Sequence, residues 1–157
     1  MTVQNNRITF QTKRLLAAFK PCICNEKFVF DFPCQNRKID ILNLEFSNSK
    51  YSEYMIFQFY SKEDTTHICH VMLINKRNKL EVSFGTDEKF RRQGYMTEAL
   101  TAAIKWIFNN TIEDSIWAIP SNKISQTVLE KCGFKYHSPV QNCPSSHWYI
   151  IERVSVH

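Results

Sequence analysis

The sequence predicts a single α/β domain over residues 1–157, with a mixed central sheet of about six or seven strands and helices on both faces. Its length suits one domain, and its 43% of hydrophobic residues can form a core without disulfides or metals. Strand-like runs dominate the first part of the chain, and strands alternate with helical spacing in the second part. This order predicts that the strands of the first part pair antiparallel. The strands before and after the first long helix should pair parallel to each other.

The first part predicts an antiparallel meander. A first strand is expected at residues 14–19. Two runs rich in β-branched and aromatic residues, 54–60 and 67–74, are joined by a polar loop, and a further strand follows at 80–84. Residues 22–48 favour two short helices, although their apolar residues are too irregularly spaced to fix the ends.

The second part predicts an alternation of strands and helices. Apolar residues recur at three- and four-residue steps over residues 96–108, which predicts an amphipathic helix of about four turns. A compact strand is expected at 115–119. Asn122 then suits the N-cap of a helix that ends at Lys131 and is stopped by Gly133. Two more strands complete the sheet, at residues 134–138 and 147–154.

Composition argues against a membrane, secreted or metal-binding protein. No stretch approaches the roughly 18 uninterrupted apolar residues of a membrane helix, and residues 1–7 lack the apolar centre of a secretory signal. We therefore expect a cytoplasmic protein without a membrane partner. The six cysteines are scattered through apolar segments and lack the paired spacing of a structural zinc site, so we expect free thiols and no metal.

A candidate anion site lies between the strand at 80–84 and the long helix. The first turn of a helix has free N–H groups and the positive end of the dipole, and Gly94 lets the backbone approach a phosphate closely. Arg91 and Arg92 add charge to a chain whose net charge is already +5. The pattern therefore indicates a phosphate-bearing ligand, although an ordinary basic helix cap has the same composition.

The residues of this segment resemble a known motif. Residues 91–96 read Arg-Arg-Gln-Gly-Tyr-Met, which resembles the acetyl-CoA motif of the GNAT superfamily of N-acetyltransferases: Arg or Gln, two residues, Gly, one residue, then Gly or Ala. The Rim-type branch, which acetylates protein N-termini and several other amines, continues as Gly-Tyr-x-Thr-Glu-Ala-Leu, and residues 94–100 match it. Met96 departs from the motif, and its side chain either narrows the pyrophosphate cradle or packs under the helix.

A second segment strengthens the resemblance. Residues 122–134 resemble the family's Asn-x-x-Ser segment ending in Lys-x-Gly-Phe, so the two motifs together cover residues 80–136, about a third of the chain. Many relatives use a tyrosine as general acid at the position of Leu129, which this chain cannot do. The Rim-type pattern offers the hydroxyl of Ser125 instead.

The resemblance implies acetyl-CoA as cosubstrate, with no metal. It also implies a strand that is locally distorted at residues 83–85, where a backbone N–H stabilises the oxyanion. Gly85 suits that role or simply ends the strand. Asn122 contacts the pantetheine arm, caps its helix, or does both. The expected cofactor-binding residues are Ser83, Phe84, Gly85, Arg91, Arg92, Gln93, Gly94, Tyr95, Met96, Thr97, Asn122, Ser125 and Lys131.

Two residues are candidate catalysts. Leu80 and Val82 share one face of their strand, so Glu81 points the other way, toward the cleft of a family-like fold, and can act as the base that deprotonates an amine. The alternative is an exposed or paired carboxylate. Ser125 can protonate the departing thiolate, or it can satisfy backbone groups at the start of its helix.

The sequence therefore predicts an N-acetyltransferase that works by direct attack in a ternary complex, because no acyl-carrying nucleophile is marked. The acceptor is an amine on a protein N-terminus, a lysine or a small molecule. The alternatives are a catalytically silent acyl-CoA-binding module and an acetyltransferase acting on aminoacyl-tRNA, since basic runs suit nucleic acid. The acceptor pocket is expected from residues 20–55 and from an exposed loop at 139–146. Monomer and homodimer both remain open, and the composition suggests a bacterial source.

Overall fold

The computed structural model describes residues 9–21, 54–76 and 79–154. Its two helices are α1 (Tyr95–Asn110) and α2 (Lys123–Lys131), and a short 3-10 helix spans Glu88–Phe90. Its strands are β1 (Phe10–Gln11), β2 (Leu15–Pro21), β3 (Tyr54–Ser61), β4 (His67–Lys76), β5 (Lys79–Thr86), β6 (Ser115–Ala118), β7 (Lys135–Val140) and β8 (Cys143–Glu152).

These strands form one mixed sheet in the order β1-β2-β3-β4-β5-β6-β8-β7. The first five strands pair antiparallel, β5 pairs parallel with β6, and β6, β8 and β7 are again antiparallel. The α/β class and the parallel pair around the long helix are therefore confirmed. The sheet has one strand more than the upper end of the expected range, because β1 contains only two residues and leaves no periodic signal.

The main core lies between the sheet and the two described helices. Leu80 and Val82 on β5 and Ile116 and Ala118 on β6 are buried on the same face, which α1 and α2 cover. Each large apolar side chain buried there contributes about 1.5–3 kcal/mol to folding. The buried residues of α1 recur at helical steps, as expected: Met96, Ala99, Leu100, Ala103, Ile104, Trp106 and Ile107. The helices expected at residues 22–48 lie outside the described residues.

Residues 139–146 are mostly exposed, as expected, but the loop predicted there is wrong. Strands β7 and β8 form a tight hairpin, in which Val140 pairs with Cys143 and leaves Gln141 and Asn142 as a two-residue turn. Asn142 has a φ of 66°, a left-handed conformation that asparagine tolerates well. Pro139 favoured a loop because proline lacks the N–H that a central strand needs. Strand β7 is an edge strand of the described sheet, where the missing N–H can be accommodated.

Specific contacts fix the ends of both helices. The guanidinium of Arg153 donates to the carbonyls of Phe108, Thr111 (3.0 Å) and Glu113 (2.6 Å), and so satisfies the carboxyl end of α1. At the end of α2, Gly133 has a φ of 101°, and the N–H of Phe134 donates to the Leu129 carbonyl at 3.0 Å. This Schellman arrangement confirms Gly133 as the helix stop.

Candidate active site

The loop between β5 and α1 is held by its own side chains. The Arg91 Nε donates to the Thr86 carbonyl at 3.2 Å, and the Gln93 side-chain amide donates to the Lys89 carbonyl at 3.2 Å. Both residues therefore stabilise the loop from within. The Arg92 side chain is exposed, and its backbone has a φ of 64°.

Backbone N–H groups cluster at the start of α1. Gly94 is the N-cap, with a φ of 78°, and the N–H of Glu98 is the first to bind within the helix, to the Gly94 carbonyl at 3.1 Å. Within the described ranges, the N–H groups of residues 92–97 have no hydrogen-bond acceptor. A run of uncommitted N–H groups at the positive end of a helix dipole binds anions, so the geometry fits a phosphate.

Met96 does not narrow this cradle. Its side chain is 7% exposed and belongs to the main core, so it packs under the helix. Tyr95 lies on the loop side, where its ring centroid is 6.1 Å from that of Phe90. The replacement of a small residue by methionine at position 96 is therefore compatible with the anion site.

A groove of about 660 Å³ continues from Gly94 along α1 toward the end of α2. Thr97, Thr101 and Lys105 line it from α1, and Lys131 lines it from α2. Cys132 joins the two helices, since its Sγ lies 3.4 Å from Thr101 Oγ1 and 3.7 Å from the Thr97 carbonyl. Burial raises the pKa of the Cys132 thiol, and this half-buried side chain packs against the main core.

Strands β5 and β6 diverge next to the loop. Their pairing in the described residues is confined to Glu81 and Trp117, although β5 continues to Thr86. The distortion expected at residues 83–85 is wrong, because β5 pairs with β4 without a register shift from Thr86 back to Lys79. The gap at the edge of β5 arises from the departure of β6, and no bulge is needed to form it.

The side chains of β5 alternate between the main core and the opposite face of the sheet. Phe84 packs against the main core with Leu80 and Val82. Glu81 and Ser83 alternate with them and point to the opposite face, as expected. Glu81 is half-buried and lies between Ile74 of β4 and Trp117 of β6 in the strand register.

An aromatic cluster borders Glu81 on that face. The Trp117 ring centroid is 4.7 Å from that of His137 and 5.8 Å from that of Trp148. The Lys79 Nζ lies 5.2 Å from the Trp117 ring. The ammonium of Lys79 therefore lies against the aromatic rings that border Glu81.

His70 is a residue of this face that the sequence prediction missed. It pairs in register with Gly85, and a β-carbon on Gly85 would lie 2.8 Å from His70 Cε1. Burial lowers the pKa of His70, nearby His67 lowers it further, and Asp87 opposes both. The available signal was a histidine at a position of β4 that alternates with the apolar core residues.

Asn122 and Ser125 form a reciprocal capping box at the start of α2. The Ser125 N–H donates to Asn122 Oδ1 at 2.8 Å, and the Asn122 N–H donates to Ser125 Oγ at 3.1 Å. Ser125 Oγ also accepts from Ser121 N–H and donates to the Asn122 carbonyl, both at 3.0 Å. The N-cap prediction for Asn122 is confirmed, and the Ser125 hydroxyl is engaged in the cap.

Within the described ranges, no cluster of three or more His, Cys, Asp or Glu side chains could bind a metal ion. No helix in them is long and apolar enough to span a membrane.

Comparison with known proteins relates this arrangement to one family. A family model described as an acetyltransferase (GNAT) domain matches residues 32–135. No curated protein matches the chain.

Solved structures resemble the fold at low identity. An acetyltransferase from Agrobacterium tumefaciens is 18% identical with a TM-score of 0.64, over 92% of this chain and 94% of that one. A ribosomal-protein-S5-alanine acetyltransferase from Vibrio fischeri is 22% identical with a TM-score of 0.54, over 66% of this chain and 63% of that one. An N-acetyltransferase from Campylobacter jejuni, solved with acetyl coenzyme A, is 14% identical with a TM-score of 0.53, over 66% of this chain and 70% of that one. The match to the Vibrio fischeri protein thus spans less than two thirds of that protein's length.

Proposed function

The chain belongs to the GNAT acetyltransferase family, and on that premise we propose that it is an acetyl-CoA-dependent N-acetyltransferase. The proposal is carried by one observation: the uncommitted N–H groups of residues 92–97 lie beside the gap between β5 and β6. An anion site next to an open sheet edge suits a ligand that has phosphates at one end and amide groups in its arm. Acetyl-CoA has both.

The binding part of the proposal assigns separate roles to the loop and the groove. The N–H groups of residues 92–97 bind the pyrophosphate, and Arg92, exposed at their start, adds positive charge. Lys131 supplies a further cation at the far end of the groove lined by Thr97 and Thr101. The gap beside residues 83–85 receives the pantetheine arm and the thioester.

The proposed reaction begins with deprotonation of the acceptor amine. A primary amine is mostly protonated at neutral pH, so Glu81 accepts a proton and frees the nitrogen lone pair. The nitrogen attacks the thioester carbon, and the carbon–sulfur bond breaks. A backbone N–H in residues 83–85 stabilises the negative charge that develops on the carbonyl oxygen. The thiolate leaves and takes a proton from Ser125, whose hydroxyl must first leave the Asn122 carbonyl, and the proton that the nitrogen loses as the amide forms restores that hydroxyl.

The acceptor is proposed to be a protein N-terminus. The Rim-type continuation at residues 94–100 supports this, and so does the likeness to a ribosomal-protein-S5-alanine acetyltransferase, although lysine and small-molecule amines are kept in the screen. A catalytically silent acyl-CoA-binding module is supported by the absence of a tyrosine at Leu129. The departure at Met96 does not add to that support, because Met96 is buried under α1 and leaves the anion site open. Cytoplasmic location remains part of the proposal.

The test combines calorimetry with an acetylation assay. Wild type is titrated with acetyl-CoA beside Gly94→Asp, which adds a carboxylate at the N-cap of α1, and beside Ile112→Asp, which adds one at an exposed residue past the opposite end of the same helix. We expect binding by wild type and Ile112→Asp and none by Gly94→Asp. Mass spectrometry of peptides and amines incubated with acetyl-CoA then identifies the acceptor. Binding without transfer to any acceptor would favour the silent module, and no binding would refute the proposal.

A further inference from the structure

Arg14, in the turn between β1 and β2, contacts the candidate phosphate loop although it lies 79 residues away in sequence from Gln93. The Glu98 carboxylate anchors it: Arg14 Nε donates to Glu98 Oε1 at 2.7 Å, and the Arg14 N–H donates to Oε2 at 2.9 Å. Thr12 Oγ1 also donates to Glu98 Oε2. The first turn of α1 is thus tied to the β1–β2 turn through one carboxylate.

The rest of the guanidinium reaches three consecutive loop residues. Arg14 Nη1 donates to the Gln93 carbonyl at 3.1 Å, and Arg14 Cζ lies 4.0 Å from the centroid of the Tyr95 ring. Arg14 Nη2 lies 3.6 Å from the position of a β-carbon at Gly94. One side chain therefore constrains the residues that lead into α1.

The contact with the Gln93 carbonyl has a direct consequence for the anion site. A trans peptide is planar, and its C=O and N–H groups point in opposite directions. When Arg14 holds the Gln93 carbonyl on its own side, the N–H of Gly94 in the same peptide unit must point away from Arg14. That N–H belongs to the uncommitted run of residues 92–97.

We propose that Arg14 is a positioning residue that orients the phosphate-binding N–H groups before acetyl-CoA arrives. The inference rests on the proposed function, since it concerns the same loop. Arg14 acts through the loop and not on the ligand. The inference adds to the candidate site a residue from the β1–β2 turn, which lies outside the sequence motif.

The free energy that the Arg14–Glu98 ion pair contributes to folding is small, which distinguishes a positioning role from a general role in stability. The side chains of Arg14 and Glu98 are 39% and 20% exposed, and a partly exposed ion pair contributes about 0–1 kcal/mol to folding. Replacing Arg14 should therefore leave the protein folded. A loop that must be ordered by the ligand itself binds more weakly, because the ordering cost is then taken from the binding free energy.

Lysine is the informative replacement. Arg14→Lys keeps the charge and can still pair with Glu98, but it lacks the planar fork that reaches the Gln93 carbonyl at the same time. Lys13→Met serves as the matched control, because Lys13 is the exposed neighbour. We expect the Kd for acetyl-CoA to rise about tenfold in Arg14→Lys, with kcat at saturating acetyl-CoA nearly unchanged and melting temperature near that of wild type.

The backbone amide signal of Gly94 in a ¹⁵N spectrum reports the orientation without any ligand. We expect this signal to move in Arg14→Lys and to stay in Lys13→Met. An unmoved Gly94 signal, or wild-type affinity in Arg14→Lys, would overturn the inference. Failure of wild type itself to bind acetyl-CoA would refute the proposed function, while the Gly94 signal would still decide whether Arg14 sets the loop.

Discussion

The imidazole of His70 lies directly over Gly85, with Cε1 only 2.8 Å from where a β-carbon on residue 85 would stand. The two residues are register partners on β4 and β5. A real β-carbon almost never comes this close to another carbon, so any larger residue at position 85 must displace the ring. The glycine is required by its neighbour, since its own φ lies outside the left-handed region.

Gly85→Ala should therefore destabilise the protein by about 1–3 kcal/mol, the usual cost of overpacking. Urea denaturation measures the loss. The double variant Gly85→Ala, His70→Ala removes the clashing ring and should recover part of the stability. Equal losses in the single and double variants would show that the contact with His70 is not the cause.

The low pKa of His70 predicts a pH dependence of stability. Burial first, and then His67, lowers this pKa in the folded state, so folding favours the neutral ring. The stabilisation is complete above the unfolded pKa of about 6.5 and is lost as pH falls toward the folded value. His70→Gln should flatten the fall in unfolding free energy over this acid range, measured by urea titration at each pH. An unchanged fall in His70→Gln over this pH range would assign the effect to another group.

Glu81→Gln tests the proposed base. The amide cannot take the acceptor proton, so kcat should fall roughly 100-fold or more, while the Kd for acetyl-CoA stays near wild type. Steady-state kinetics and calorimetry on the same preparation separate the two effects. An unchanged kcat would assign the proton to another group, and His70 on the same face would be the next to test.

Ser125 requires two variants because it holds the cap of α2. Ser125→Ala removes the hydroxyl and its contacts with Ser121 and Asn122, and should lower stability by about 1 kcal/mol as well as lower kcat. Ser125→Gln restores an acceptor for the Asn122 N–H, as in the usual capping box, without a hydroxyl proton. We expect it to regain stability but not turnover. Full turnover in Ser125→Gln would limit Ser125 to capping.

Arg153→Met tests a contact remote from the cleft. The carbonyl of Phe108 in the last turn of α1 and the carbonyls of Thr111 and Glu113 just after it lose a donor, so the unfolding free energy should fall by about 1–3 kcal/mol. The start of α1 lies roughly 24 Å away, so the Kd for acetyl-CoA should not change. A large loss of affinity would mean that the whole helix shifts.

Local signals in the sequence were sufficient for the two described helices and most of the described strands. The period of α1, the N-cap at Asn122 and the stop at Gly133 each depend on residues within a few positions of one another. Contacts between distant segments had no such signal. Neither the approach of Arg14 to Gln93 nor the ring of His70 over Gly85 could be predicted, because both depend on strand register and three-dimensional proximity.

In the candidate site, too, local features could be predicted and contacts between distant segments could not. The motif at residues 91–96 predicted an anion loop, and the loop does present a run of N–H groups. It could not reveal that the neighbouring gap comes from the divergence of β6, since strand divergence leaves no mark on β5 itself. The hairpin turn at Gln141 and Asn142 was missed because a polar, proline-containing stretch is also typical of a loop.

Strands β5 and β6 of the described sheet are joined by the single pairing of Glu81 with Trp117 and by the core that Leu80 and Ile116 share. Five strands lie on one side of this junction and three on the other. The chain passes from the first group of strands to the second through residues 87–114. That connecting segment begins with the loop whose N–H groups are proposed to bind the pyrophosphate, so the candidate anion site lies where the two groups of strands meet.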